Sequence, residues 1–263
     1  MKQILITGAN GGMGKAVTAL FADRGYTVYA LDREPSTPRD NVVPICADVT
    51  DAESVAAAFE AVKERASDLF AIIHLAGIYA LDSLVEMSEA EFERVFRVNL
   101  GGAFLVNKTF FPLLKSGSRV IAVTSELAVR DPLPFTGIYG IAKTALDKYA
   151  YSLRMELQLH GISVSVLRAG AVDTGMLGDS TRRLDRFCRE TEAYTCNAEK
   201  FKRIVERVEA RRISPEKLAR KIFRISEAKR PRFAYSINRN PLLIALDMLP
   251  KRARFFAVRR ILK

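Results

Sequence analysis

A tyrosine and a lysine four residues apart carry the clearest chemical signal in the sequence. Tyr139 and Lys143 lie at the start of a predicted helix running to His160, and their spacing puts both on one helical face. A phenol ordinarily titrates at ~10. An ammonium fixed beside it, joined by an oxidised nicotinamide, stabilises the phenolate and lowers that pKa. Tyr139 is then suited to exchange a proton with an alcohol. Ser125, at the end of the preceding predicted strand, is expected to hold the substrate oxygen.

A glycine-rich turn near the start of the chain gives a second signal. The apolar run 4–6 predicts a buried strand, and the helix-forming segment 15–22 follows the glycines. Glycine lets the backbone reverse tightly and approach a pyrophosphate, and the free N–H groups of the helix attract its negative charge. The residues predicted to bind a dinucleotide here are Gly8, Asn10, Gly11, Gly12, Met13 and Gly14.

The end of the second predicted strand bears on the choice of cofactor. Asp32 lies about twenty residues beyond the glycines, where a carboxylate accepts hydrogen bonds from the adenosine ribose and repels a 2′-phosphate. Arg33 beside it argues for NADP, because a guanidinium neutralises a phosphate. NAD is the predicted cofactor and NADP the alternative. Without a cofactor role, Asp32 is an ordinary turn carboxylate.

Three further positions fit a cofactor lying across the carboxyl edge of a parallel sheet. Asp48 and Val49 end the third predicted strand and are expected to flank the adenine. Ala76 and Gly77 follow the fourth and are small enough to leave room for the cofactor. Asn99 lies inside a long predicted helix, where asparagine is a modest helix former and therefore calls for a polar partner or a function.

The alternation of strands and helices predicts an α/β fold: a doubly wound parallel sheet of about seven strands with helices on both faces. With 263 residues and 49% apolar content the chain suits one domain. Within it we expect residues 1–175 to form the cofactor-binding and catalytic part. Residues 176–240 are predicted to supply a substrate lid and the last strand, and residues 241–263 a basic amphipathic tail.

Taken together, these motifs resemble the short-chain dehydrogenase/reductase family over roughly residues 3–176. The matching positions are the turn 7–14, Asp48–Val49, Ala76–Gly77, Asn99, Ser125, Tyr139, Lys143 and the segment 170–174. The resemblance implies an oxidoreductase that moves a hydride between a nicotinamide dinucleotide and a secondary alcohol or ketone.

The resemblance also implies roles for individual residues. Tyr139 becomes the acid/base, Lys143 its pKa modulator and a ligand of the nicotinamide ribose, and Ser125 the donor to the substrate oxygen. Asn99 would anchor a proton-relay water. Val172 and Thr174 would contact the nicotinamide side of the cofactor.

Three departures from the family pattern stand out. The family has asparagine before the Ala-Gly pair, where this chain has His74–Leu75, so support of the sheet there must come from elsewhere. Ala169 stands where proline is common. The family's serine lies thirteen residues before the tyrosine, but that position is Glu126 and Ser125 lies fourteen before. We expect Ser125 to act, with one extra loop residue, in preference to Glu126.

Two other functions fit parts of the pattern. The spacing of Gly8, Gly11 and Gly14 also suits the family's longer branch, the nucleotide-sugar epimerases and dehydratases, although the segment after Thr174 is shorter than their C-terminal domain. The irregular position of Ser125 is consistent with a regulatory protein that binds NAD(P) without turnover.

Positive charge is concentrated late in the chain. Residues 181–263 hold 24 Lys and Arg against 9 Asp and Glu, whereas residues 1–180 hold 17 against 21. Such a segment suits an anionic membrane surface, an acidic substrate or nucleic acid, or is a solvated surface. Nucleic-acid binding is not expected, because the segment lacks aromatic residues interleaved on a sheet and lacks a reading helix.

The tail and the lid bear on the substrate and the partners. Residues 242–263 mix apolar side chains with Arg and Lys, which fits a helix on a membrane, over the mouth of the active site or on a partner subunit. A bulky hydrophobic alcohol or ketone is the predicted substrate, such as a steroid, retinoid or acyl chain. A homodimer or homotetramer is expected.

The sequence has no run of eighteen apolar residues and no signal-like start, so a cytoplasmic protein is expected, with peripheral membrane contact as the alternative. Cys46, Cys188 and Cys196 have no metal-ligand spacing and are expected to be reduced thiols. No metal site is predicted.

Overall fold

The structure is a computed structural model that describes residues 1–209 and 211–263. The side chains of residues 176–181, 196 and 207–209 lie outside the described part. Met176, the first residue of the predicted lid, and Cys196 are among them, so the expectations for these side chains fall outside the described residues.

Seven parallel strands form one sheet, in the order β3-β2-β1-β4-β5-β6-β7. The strands are β1 (Gln3–Thr7), β2 (Thr27–Asp32), β3 (Val42–Cys46), β4 (Leu69–His74), β5 (Leu114–Ser125), β6 (Ser163–Ala169) and β7 (Ala234–Ile237). The order runs outward from β1 in both directions, which confirms the predicted doubly wound sheet. Ligands bind such sheets at the carboxyl edge where the strand order reverses.

Ten α-helices connect and flank the strands within the described ranges. They are α1 (Gly12–Asp23), α2 (Ala52–Lys63), α3 (Glu89–Phe96), α4 (Gly102–Phe110), α5 (Gly137–Leu157), α6 (Gly175–Glu190), α7 (Thr195–Glu209), α8 (Pro215–Ser226), α9 (Pro241–Asp247) and α10 (Lys251–Leu262). None of these helices combines the length and the apolar character needed to cross a membrane.

The sheet is buried on both faces, which is why its strands read as nearly continuous apolar runs. On one face α1 and α8 pack together, with Phe21 and Ile222 in the core. On the other, α2, α4 and α5 cover the sheet with residues such as Val55, Phe110 and Leu157. Helices therefore lie on both faces, as the alternation predicted.

Capping side chains fix several helix starts. The Asp51 side chain accepts a hydrogen bond from the Glu53 N–H at the start of α2, and Ser88 accepts from the Glu91 N–H at the start of α3. Ser214 caps α8, followed by Pro215 at the first helical position.

The asparagine at position 197 predicts a helix N-cap, and the run 119–124 predicts a strand that starts at residue 119, but the structure places both starts earlier in the chain. Helix α7 does not begin with a cap at Asn197: the Tyr194 carbonyl accepts the N–H groups of both Asn197 and Ala198, so the helix begins at Thr195. The Asn197 amide instead donates to the Leu262 carbonyl at 2.6 Å. Strand β5 begins at Leu114 and not at residue 119.

Candidate active site

The predicted catalytic side chains meet at the carboxyl edge of the sheet. Strand β5 ends at Ser125, and the next helix, α5, brings Tyr139 and Lys143 back to the same edge. Ser125, Tyr139, Lys143 and Asn99 all line one cavity of about 1230 Å³, including its solvent-open part. The structure therefore brings together the four residues that the sequence singled out for catalysis.

The Ser125 hydroxyl lies near the Tyr139 phenol and favours its ionised form. The Ser125 oxygen also accepts the Leu127 N–H at 3.1 Å, which starts the short 3₁₀ turn Glu126–Val129. The Tyr139 ring packs edge-on against Tyr79, with ring centroids 4.7 Å apart. Ser125 is thus within reach of the same substrate oxygen as Tyr139, despite its shift by one residue.

The pKa of Tyr139 is raised in the protein without cofactor. Burial raises it to about 12, although the nearby Ser125 hydroxyl acts in the opposite direction. Burial disfavours the phenolate, and this cost is the largest contribution to the pKa. The expectation of a lowered pKa included the charge of an oxidised nicotinamide, so it stays a prediction for the complex with cofactor. A phenol that keeps its proton at neutral pH is suited to donate it to a carbonyl oxygen.

Lys143 is a buried cation beside that phenol. Its side chain is buried, and its Nζ lies 5.8 Å from the centroid of the Tyr139 ring. Nζ donates one long hydrogen bond, 3.4 Å, to the Val123 carbonyl, and within the described part of the chain no carboxylate forms a salt bridge with it. Burial lowers the pKa of Lys143 to about 8. The amine is then mostly protonated at neutral pH but titrates just above it.

Asn99 lies in a π-helical turn, Arg97–Gly101, between α3 and α4. Such turns interrupt the regular helix ladder and often occur at functional sites. The Asn99 amide donates to the carbonyls of Ile78 and Val95 at 3.0 and 3.1 Å, and its oxygen accepts the Ile78 N–H at 3.2 Å. The asparagine has its polar partners, and the side chain ties the π turn to the segment that follows β4.

Gly77 allows the polar groups to approach each other. A Cβ atom at Gly77 would lie 2.7 Å from Asn99 Oδ1 and 3.2 Å from Lys143 Nζ, so both polar atoms press against the glycine backbone. Ala76 is tied to the end of β1 by a 3.3 Å hydrogen bond from its N–H to the Thr7 hydroxyl. The local packing thus requires glycine at position 77.

The glycine turn has the geometry that a dinucleotide requires. Gly8 adopts φ of +70°, and a Cβ there would lie 2.6 Å from the Ala76 nitrogen. A Cβ at Gly14 would lie 2.0 Å from the Gly8 carbonyl oxygen. Gly11 precedes α1 as an N-cap without a side chain, so the first N–H groups of α1 have no side-chain acceptor from the cap. These residues fit a pyrophosphate held at the start of α1.

The far side of the turn is closed by the segment after β6. A Cβ at Gly12 would lie 2.7 Å from Thr174 Cβ, so Thr174 packs directly on the turn. Thr174, Val172 and Met13 line the same cavity as Tyr139. This places them where a nicotinamide ring would reach the catalytic side chains.

Asp32 is placed beside the glycine turn. Its carboxylate accepts the Asn10 N–H and the Arg33 N–H, both at 2.8 Å. The Asn10 side chain donates to the Glu34 carbonyl at 2.5 Å, which joins the turn to the end of β2. Asp32 is therefore at the position where a ribose-binding carboxylate is needed, next to an exposed Arg33.

Asp48 and Val49 shape the neighbouring loop. The Asp48 carboxylate accepts both the N–H and the hydroxyl of Thr50, at 2.8 and 2.7 Å. Burial opposes its ionisation, but these hydrogen bonds and the Arg33 charge leave the pKa of Asp48 below its ordinary value. Val49 packs on Gly102, where a Cβ would lie 2.7 Å from Val49 Cγ2.

The sheet support expected from an asparagine before Ala76 comes from a histidine. His74 ends β4 and is buried, and its Nε2 lies 2.8 Å from Asn107 Oδ1. Asn107 donates in turn to the Tyr149 hydroxyl at 3.2 Å. Burial lowers the pKa of His74 to about 4, so the ring is neutral at physiological pH. Sequence analysis pointed to the unusual residue but not to this buried network.

The neutral state of His74 predicts a loss of stability in acid. Between about pH 6.5 and pH 4 the unfolded chain protonates His74 and the folded chain does not, so the free energy of unfolding falls as pH is lowered, by about 3 kcal/mol in total. Urea unfolding at about pH 7 and pH 5 measures the loss of stability. The variant His74→Gln is expected to lack the part of this loss that comes from His74. The matched control is His160→Gln, the chain's other histidine. Equal pH dependence in both variants contradicts the prediction.

One wall of the cavity is apolar and combines the segment after β5 with late segments of the chain. It is formed by Leu127, Leu133, Phe201, Ile204, Val205 and Leu243. Helices α6 and α7 share a separate small core with Phe135, whose ring contacts Phe187 and Phe201. No motif marks these residues in the sequence, because only the tertiary fold brings them to the site.

A doubly wound sheet, with a glycine-cradled helix start and a partly buried tyrosine beside a buried lysine at its carboxyl edge, defines the class of dinucleotide-dependent oxidoreductases. Comparison with known proteins agrees: the family model described as short chain dehydrogenase matches residues 2–185. The chain belongs to the short-chain dehydrogenase family. It is accordingly an oxidoreductase that acts on keto or hydroxyl groups with a nicotinamide dinucleotide, NAD or NADP.

The chain is similar to individual members along most of its length. It is 28% identical to the 3-ketodihydrosphingosine reductase of Bacteroides thetaiotaomicron, over 88% of this chain and 85% of the relative. A short-chain dehydrogenase family protein from Francisella tularensis superposes with a TM-score of 0.76 at 22% identity, covering 90% and 97% of the two chains. A short chain dehydrogenase from Burkholderia cenocepacia, solved with NADP, gives 0.72 at 24% identity over both full chains. At these identities the two structures show the shared fold.

Proposed function

We propose that the protein reduces a bulky hydrophobic ketone, with a long acyl-type chain, to a secondary alcohol. The observation that carries this proposal is the cavity itself, which combines a protonated Tyr139 and Ser125 with an outer wall of aliphatic and aromatic side chains. The Bacteroides relative is named for the reduction of a ketone of this kind, 3-ketodihydrosphingosine, which supports the substrate class.

The roles of the chain's own residues follow from their positions. Ser125 and Tyr139 donate hydrogen bonds to the carbonyl oxygen, and Tyr139 delivers the proton that the oxygen needs as it becomes a hydroxyl. Lys143 stabilises the negative charge that develops on Tyr139 and binds the nicotinamide ribose. Asn99 is proposed to hold the relay that returns a proton to the site. The nicotinamide, when bound, supplies the hydride.

Turnover of a ketone series tests the proposal. Loss of reduced-cofactor absorbance is measured with butanone, a ketosteroid and 3-ketodihydrosphingosine, each with NADH and with NADPH. Because apolar contacts remote from the carbonyl add binding energy, kcat/KM is expected to be highest for the long-chain ketone. A preference for butanone, or no turnover of any ketone, contradicts the proposal. Tight cofactor binding without turnover would favour the non-catalytic regulatory protein.

NAD is proposed as the preferred cofactor, because the Asp32 carboxylate lies beside the glycine turn. Asp32→Ala is expected to lower kcat/KM with NADH by about tenfold to a hundredfold, the worth of charge-assisted hydrogen bonds to a ribose, and to lower it less with NADPH. Arg33→Ala is the matched comparison and is expected to lower kcat/KM with NADPH only. If the Asp32 variant loses equal efficiency with both cofactors, the carboxylate does not discriminate between them.

Assembly and location are part of the proposal as well. The chain is proposed to work as one domain divided at residues 175 and 240, and to form a homodimer or homotetramer. Contact of α10 with an anionic membrane is supported by Phe255 and Phe256, which are 71% and 70% exposed between Arg252 and Arg259. A cytoplasmic protein with such peripheral contact could collect a lipid-like substrate.

A further inference from the structure

Helix α9, in the C-terminal tail, contributes to the wall of the active-site cavity. Leu243 on α9 lines the cavity that also contains Ser125 and Tyr139. Its neighbour Leu242 points outward and is 65% exposed. One side of this short helix therefore faces the substrate space and the other faces solvent, so the position of α9 sets the shape of one wall.

The start of α9 is tied to the residue after Ser125. The backbone N–H of Asn240, a buried residue, donates to Glu126 Oε2 at 2.8 Å. The Asn240 side chain caps the helix by accepting the Leu242 N–H at 2.9 Å. Glu126 itself packs on the end of β6, because a Cβ at Gly170 would lie 2.9 Å from its Oε1. Glu126, which occupies the position of the family's serine, thus holds the start of α9 in place.

The end of α9 is tied to the same short turn. The Arg130 guanidinium donates to the Asp247 carboxylate, and its Nη2 lies 3.8 Å from Glu126 Oε2. The Arg130 side chain is only 5% exposed. Arg254 of α10 adds a 2.9 Å hydrogen bond to the Asp247 carbonyl and a 2.6 Å bond to Asp131. A carboxylate at a helix C-terminus opposes the helix dipole, so Asp247 needs this cationic partner.

We propose that Glu126 and Arg130 are positioning residues that fix α9 and thereby select ketones with a long apolar group. Glu126 is the first residue of the 3₁₀ turn Glu126–Val129 that follows Ser125, and Arg130 follows its last, so they set the distance from the Leu243 wall to the reacting oxygen. A buried charge left without its partner is costly, which keeps α9 in one place. Because Leu243 would contact the substrate far from its carbonyl, the effect falls on KM for the long substrate. This inference rests on the proposed ketone reductase function.

A matched pair of variants tests whether the contact between Arg130 and Asp247 fixes α9. Asp247→Asn removes the charge that Arg130 holds, while Arg130 keeps Glu126 as a counterion; KM for 3-ketodihydrosphingosine is expected to rise about tenfold. Turnover of butanone, which is too short to reach α9, is expected to keep its kcat within about twofold, since the reacting groups are unchanged. Asp131→Asn removes an exposed partner of Arg254 but no contact of Arg130, and its KM is expected to match the wild type.

Hydrogen exchange gives a readout that does not need turnover. Amides of residues 242–248 are expected to exchange faster in Asp247→Asn and in Glu126→Gln than in the wild type, because α9 opens locally when its anchors weaken. If a folded Asp247→Asn enzyme shows unchanged exchange and unchanged KM, the proposal that Glu126 and Arg130 fix α9 is wrong. If the wild type reduces no ketone, the proposed function is wrong instead, and exchange alone then reports whether Glu126 and Asp247 hold α9.

Discussion

Replacing Tyr139 by phenylalanine is expected to lower kcat for ketone reduction by about a thousandfold or more. The change removes the proton donor at the cavity, which lies near the Ser125 hydroxyl, but keeps the ring that packs against Tyr79. General acid catalysis contributes about a hundredfold to ten-thousandfold, so the loss belongs near the middle or top of that range. The measurement is single-turnover oxidation of the reduced cofactor with saturating ketone.

The control for this prediction is Tyr151→Phe, since Tyr151 lies on the same helix α5 but is 54% exposed. It is expected to retain the wild-type rate. Cofactor affinity of Tyr139→Phe, measured by fluorescence, is expected to change little, which separates a lost proton donor from a damaged site. Undiminished turnover in Tyr139→Phe would show that the phenol is not the proton donor.

Lys143→Met is expected to lower kcat by about a hundredfold and to change the pH dependence of the reaction. Lys143 acts as a cation, and burial lowers its pKa to about 8. The active, protonated form is therefore lost as pH rises through about 8, so kcat/KM of the wild type is expected to fall there. The methionine variant has nothing to titrate at this position and is expected to lack that basic limb. Profiles of kcat/KM against pH for both enzymes measure the effect.

Lys148→Met provides the matched control, because Lys148 is exposed on the same helix. Its profile is expected to overlay that of the wild type. Since the pKa of Tyr139 is raised to about 12, ionisation of the phenol is not expected to contribute to the fall near pH 8. If the fall of kcat/KM near pH 8 persists in Lys143→Met, another group causes it.

The chemistry of the site could be read from local sequence because local geometry determines it. Helix periodicity alone puts Tyr139 and Lys143 side by side, and the strand before the helix delivers Ser125. Likewise Asp32 reaches the glycine turn because β1 and β2 are adjacent parallel strands, with Thr7 opposite Leu31. These relations need only the period of each element and the order of neighbouring strands.

The remaining features depend on long-range packing. The raised pKa of Tyr139 reflects how much of the chain covers it, which no spacing in the sequence records. Leu243 and Phe201 reach the cavity from segments without a motif. His74 was visible as a departure from the family pattern, but its partner Asn107 lies on a distant helix. Glu126 was weighed against Ser125 for catalysis, whereas its contacts are with Asn240 and Arg130.

The most direct measurement of the central claim follows the transferred hydride. The protein is incubated with reduced cofactor deuterated at the transferable position of the nicotinamide and with 3-ketodihydrosphingosine, and the product is analysed by mass spectrometry. The expected product is a secondary alcohol that carries the deuterium on its carbinol carbon, and little or no alcohol is expected with Tyr139→Phe. Formation of no alcohol, or of alcohol without deuterium, would contradict the central claim.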